Sequence, residues 1–121
     1  MSYSLLSKTT ALAYNACVLI IYGLCLILSP DMIIKRNELK EKINQKQLIT
    51  HRIFGLLIFF EGCVSAYSYY SLCPEIQILT SYSFLIVHFT EVVIKKFANL
   101  ESNLEFHANG HLAFIYFLAI F

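Results

Sequence analysis

The sequence is short of what a soluble enzyme needs. Only 14% of its 121 residues are charged, against about 25% in an ordinary soluble domain. Tryptophan is absent, and there are only two prolines and four glycines. The chain is rich in Ile, Leu, Phe, Tyr, Asn and Lys, so the missing tryptophan reads as the bias of an AT-rich genome rather than as a function. There is no glycine-rich phosphate loop, no Ser-His-Asp order and no acidic pair in a polar loop. The residues therefore predict a protein that is not an enzyme. The four cysteines, Cys17, Cys25, Cys63 and Cys73, form no Cys-x-x-Cys pair. They lie in or beside apolar runs, where a thiol serves as a small apolar group. A formal net charge of +1 gives no reason to expect a nucleic-acid partner.

What the sequence does have is long apolar runs. Residues 10–29, 53–72, 76–94 and 104–121 each approach the ~20 residues with which a helix crosses a hydrocarbon core. A soluble bundle would alternate apolar and polar faces with helical period, whereas these runs are apolar all round. The expected fold class is all-α: a four-transmembrane-helix bundle, forming a single integral membrane domain over residues 1–121. The first run has one lysine before it and no small-x-small cleavage site, so it reads as a span rather than a signal peptide. Pro74 enforces a tight break between the second and third runs. Ser29-Pro30-Asp31 opens the long first loop like a helix start. Leu39, Ile43 and Leu48 share one side of that loop, so a short amphipathic helix on the membrane surface and a solvated loop both remain open.

The charges divide unevenly between the two sides. With four spans, Lys35, Arg36, Lys40, Lys42, Lys46, Arg52, Lys95 and Lys96 fall on one side and only Lys8 on the other. Positive charge collects on the cytoplasmic side of membrane proteins. The basic loops are thus expected to face the cytoplasm, or the matrix of a mitochondrion, with both termini opposite.

Ionisable groups inside the runs are costly unless paired, and normally face the bundle interior. Arg52, Glu61, His88, Glu91, Lys95, His107 and His111 all fall in the half of the membrane nearer the basic side. At ~1.5 Å per residue, Glu91 lies roughly 6 Å and His88 about 10 Å below the boundary at Lys95, and Glu61 roughly 14 Å deep. The other half holds Asn15, hydroxyl residues and tyrosines. Ser81, His88, Glu91 and Lys95 share one face of the third run, and Glu61, Ser65 and Ser68 one face of the second. Gly55 and Gly62 allow close approach of a neighbouring helix. Glu91 and Lys95 stand in the favourable i, i+4 order, and Glu61 is the expected partner of His88. Three readings of this polar cluster stay open. It glues helices or subunits together; or it lines a pocket for a lipid, sterol or quinone; or it binds metal or haem. The last draws on His107-x-x-x-His111, which sets two imidazoles on one helix face. The denser motifs of intramembrane metal sites are missing, so no metal and no cofactor is expected.

"HRIFGLLIF" (residues 51–59) followed by "FLIVHFTE" (residues 84–91) resembles the ergosterol-biosynthesis scaffold family of the endoplasmic reticulum. Arg52, Phe54 and Gly55 match the family's second-span motif, and His88 and Phe89 its third. Glu91 stands one residue closer to the histidine than in that family, and the family's tryptophans are absent. The resemblance implies a four-span, non-enzymatic scaffold that tethers sterol C-4 demethylation enzymes. The residues themselves lead to the same class: a non-catalytic subunit or scaffold of a larger membrane complex, with other membrane protein subunits and lipids as partners. Two settings fit. One is an accessory subunit of a respiratory-type assembly in the mitochondrial inner membrane; the other is an endoplasmic-reticulum scaffold of sterol or lipid enzymes. A haem- or metal-binding electron-transfer protein is the alternative from a different class.

Overall fold

The computed structural model describes residues 7–37, 44–98 and 104–121. The described residues form five helices: α1 (Lys8–Leu28), α2 (Pro30–Asn37), α3 (Gln45–Tyr70), α4 (Pro74–Phe97) and α5 (Leu104–Ile120). Local chemistry sets most of their ends. Ser7 caps α1 by accepting from the Thr10 amide at 3.1 Å. Pro30 opens α2, where its missing N–H costs nothing, and Asp31 follows in the first turn. Asn44 and Gln47 bond each other's backbone amides, both at 2.9 Å, in a capping box that starts α3. α3 therefore begins two turns before its apolar run. Leu72 is left-handed, at φ 56°, and turns the chain from α3 toward Pro74 at the head of α4. Glu75 in the first turn of α4 and Lys95 and Lys96 in its last turn complement the helix dipole. In the first loop Pro30–Asn37 is helical, but Leu48 belongs to α3, and Leu39 and Ile43 lie outside the described residues.

The helices pack as two antiparallel pairs, α1 along α3 and α4 along α5, with fewer contacts between the pairs. The first pair meets backbone to backbone. A Cβ on Gly23 would come within 2.8 Å of the Gly55 carbonyl oxygen, and one on Gly62 within 2.9 Å of the Ile20 nitrogen. Small residues allow this approach, and in lipid such packing replaces the hydrophobic drive that water supplies. The apolar core where the pairs join comprises Ala11, Leu12 and Leu19 of α1, Phe84 of α4, and Leu112, Tyr116 and Ala119 of α5.

The burial pattern of α3 is the reverse of a water-soluble helix. Its buried residues are Gly55, Gly62, Ser65 and Ser68, while Ile53, Phe54, Leu57 and Phe60 are exposed. Large apolar surface outside and small polar groups inside suit a hydrocarbon surrounding. Three helices, α1, α3 and α4, are long and apolar enough to cross a membrane, which is compatible with an integral membrane protein. α5, at 17 residues, is shorter than all three. The fold is thus all-α with three helices of spanning length, and the four-span expectation goes beyond that.

Candidate functional site: a hydrogen-bond chain through four helices

Four of the six buried polar side chains among the described residues, Asn15, Ser65, His88 and Asn109, form one continuous chain with half-buried Glu91. It starts at Glu91 on α4, whose Oε2 accepts from Asn109 Nδ2 on α5 at 2.6 Å. Asn109 Oδ1 faces His88 Nδ1 at 2.8 Å. The other ring nitrogen, His88 Nε2, lies 3.1 Å from Asn15 Oδ1 on α1. Asn15 Nδ2 donates to Ser65 Oγ on α3 at 3.2 Å, and Ser65 Oγ donates to the Leu12 carbonyl at 2.8 Å. Asn15 and Ser65 are fully buried and His88 is 1% exposed. The chain links α1, α3, α4 and α5, and so bridges the two helix pairs.

Each link follows from helix geometry. His88 and Glu91 are one turn apart on α4, so a single α5 side chain reaches both. Asn109 does so with one end of its amide for each. The rings of His88, Phe84 and Tyr116 cluster side by side and nearly parallel: His88 lies 5.8 Å from Phe84 and 6.1 Å from Tyr116 between centroids, both at 18°, and Phe84 lies 5.8 Å from Tyr116. This cluster holds the ring plane while the two asparagines hold its edges. The Tyr116 hydroxyl is buried beside Ser65 and Asn15, but no described group meets it with hydrogen-bond geometry. Two further polar contacts tie helices together nearby. Tyr14 Oη and His111 Nε2 lie 2.8 Å apart between α1 and α5, and Ser68 Oγ and Thr80 Oγ1 lie 2.8 Å apart between α3 and α4.

The residues singled out from sequence separate in the structure. His88 and Glu91 come together, with Asn109 as the bridge. Glu61 does not pair with His88, because both ring nitrogens are already met by carboxamides. A neutral amide costs less to bury than a carboxylate, which explains the choice. Glu61 is half-buried on α3, within electrostatic range of Glu91. Lys95 is half-buried in the last turn of α4. Arg52, His107 and His111 are exposed, and His111 bonds Tyr14 rather than the central chain. Among the described residues, no three His, Cys, Asp or Glu side chains are grouped to hold a metal ion.

Asn15 and Asn109 were not among the site candidates, although both stand inside apolar runs where an amide must find partners. The cost of burying a charge points to ionisable residues first and passes over neutral amides, and depth counted from the loop ends puts Asn15 in the opposite half of the membrane from His88. Asn15 is seven residues (~10 Å) from the start of α1, and His88 fourteen residues (~21 Å) from the start of α4. The two helices run parallel and the residues meet, so the helix starts lie at different levels. Counting depth from loop ends hides that stagger. Comparison of the chain with family models, with curated proteins and with solved structures gave no match.

Proposed function

We propose that the protein is a non-catalytic subunit or scaffold of a larger membrane assembly, inserted through four helices, with α5 as the fourth. The observation that carries this reading is how little of its apolar surface the chain covers for itself. Only 17% of the most apolar stretch of α3, and 17% of that of α4, is buried. A bundle that leaves most of the apolar surface of α3 and α4 uncovered has membrane partners as its simplest use. The interior supports a structural role. The central polar groups are spent on one another, and an amide oxygen stands 2.8 and 3.1 Å from the two nitrogens of His88, where a haem iron or metal ion would have to bind. An accessory subunit of a respiratory-type complex in the mitochondrial inner membrane is the setting we favour. The resemblance at Arg52, Phe54, Gly55, His88 and Phe89 supports the second setting, a sterol-enzyme scaffold in the endoplasmic reticulum.

The test is affinity isolation of the chain from native membranes in mild detergent, with mass spectrometry and native electrophoresis. The proposal expects stoichiometric membrane protein partners in a particle far heavier than the 13.9 kDa chain. A monomer that remains active as a catalyst or electron carrier would refute it.

A further inference from the structure

The pairing of His88 with two asparagines leaves Glu61 over. Among the described residues Glu61 has no hydrogen-bond or ion-pair partner, and its nearest charge effect is the like charge of Glu91. It stands nine residues from the end of α3 at Tyr70, ~13 Å along the axis, and so near the middle of a hydrocarbon core. A carboxylate at that depth costs roughly 2.5–3.5 kcal/mol even on lenient insertion scales. No described residue pairs with it, so a cation brought from outside would stabilise the charged form.

The surroundings say what kind of group would fit. Phe54, Leu57, Glu61 and Val64 are spaced three, four and three apart, a stripe on one side of α3 with the repeat of a helix–helix seam. Phe54 and Leu57 are 55% and 56% exposed and Val64 is 38% exposed. An apolar seam with one central carboxylate is complementary to a helix with one central cation. Glu91 lies within electrostatic range, which adds to the attraction for positive charge and works against a second carboxylate. We infer that this stripe of α3 docks a partner's transmembrane helix carrying a buried lysine or arginine, with Glu61 as the counter-charge. The inference rests on the proposed role as a subunit and names the partner's chemistry.

The test uses the full chain reconstituted in phosphatidylcholine vesicles with a fluorescent donor. The probes are acceptor-labelled Leu/Ala transmembrane peptides with arginine, or leucine, at the central position. The arginine peptide is expected to associate with the wild type on the order of tenfold more tightly than the leucine peptide. That preference should vanish in Glu61→Gln. Because no described residue bonds the Glu61 side chain, Glu61→Gln should keep its helical circular dichroism and thermal stability, so loss of the preference would not be loss of folding. Equal association of the two peptides, or an arginine preference that survives Glu61→Gln, overturns the inference. So does Glu61-dependent association of the chain with itself in the absence of peptide, which would make a second copy the occupant. Recovery of a large native complex together with equal peptide association would sink the inference and leave the subunit role standing.

Discussion

His88 shows how a polar ring is held in an apolar interior: by two neutral amides at its edges and by a cluster with the nearly parallel rings of Phe84 and Tyr116. Both amides turn an oxygen to the ring, so a neutral imidazole donates to one of them and only the doubly protonated ring satisfies both. Asn109 has the heavier duty, since one side chain serves both His88 and Glu91. Asn109→Ala removes an acceptor from a buried ring and a donor from a half-buried carboxylate at once. Unsatisfied buried groups cost about 1–3 kcal/mol each, whereas single interhelical hydrogen bonds in membranes average about 0.6 kcal/mol. A double loss involving a charged group belongs near the upper range, so we expect a destabilisation of about 2 kcal/mol. His111→Phe loses only the bond to Tyr14, which is 41% exposed, and should cost under about 1 kcal/mol. Reversible unfolding of both variants in mixed detergent micelles checks the order. A stability loss for Asn109→Ala no greater than that for His111→Phe would mean that the buried chain contributes little.

At the scale of the helices, the tight contact of α1 with α3 rests on three glycines, and each has a stated clearance. A Cβ on Gly55 would sit 2.9 Å from the Gly23 oxygen and 3.0 Å from the Ile27 nitrogen. Backbone cannot swing aside as a side-chain tip can, so Gly55→Ala must push the helices apart, at about 1–3 kcal/mol. Gly110 on α5 is the contrast, because its nearest neighbour is Val92 Cγ2 at 3.9 Å. There alanine has room, and helix propensity favours it by about 1 kcal/mol. Thermal unfolding should therefore show opposite shifts for the same chemical change. Much of this was legible in the sequence, because apolar runs mark the long helices, and Gly55 and Gly62, seven apart, mark a close-packing face. Gly23 was not singled out, since a lone glycine in an apolar run has no spacing to betray it. The early start of α3 was written in Asn44-x-x-Gln47, but the capping box precedes its apolar run by two turns and a search keyed to hydropathy passes over it. The bridge through Asn15 and Asn109 depends on how four helices are staggered, and that is set by packing between segments far apart in the chain.

For the whole molecule, the open point is which side of the membrane each end occupies, and α5 decides it. Seventeen residues rise ~25 Å, a few ångströms short of the ~30 Å hydrocarbon core. Such a mismatch costs only fractions of a kcal/mol per ångström and is met by local thinning of the bilayer. One side of α5 is sealed in the bundle by Leu112, Tyr116 and Ala119, while Phe114, Phe117 and Phe121 are exposed. An exposed row of phenylalanines belongs in lipid, so α5 should cross. Eight of the nine Lys and Arg residues lie on one side of α1, α3 and α4 whether or not α5 crosses, and that side should be the cytoplasm or matrix. Single cysteines placed at Ser7, Asn37 and Phe121 test this in sealed vesicles with a membrane-impermeant maleimide. The native cysteines must first be replaced, because Cys17 and Cys63 are exposed. With four crossings, the Ser7→Cys and Phe121→Cys sites label from one side and Asn37→Cys only from the basic side. With three crossings, Phe121→Cys labels together with Asn37→Cys. That second pattern would leave α5 docked against the bundle without spanning and put Phe121 on the basic side, while the charge division set by α1, α3 and α4 would stand unchanged.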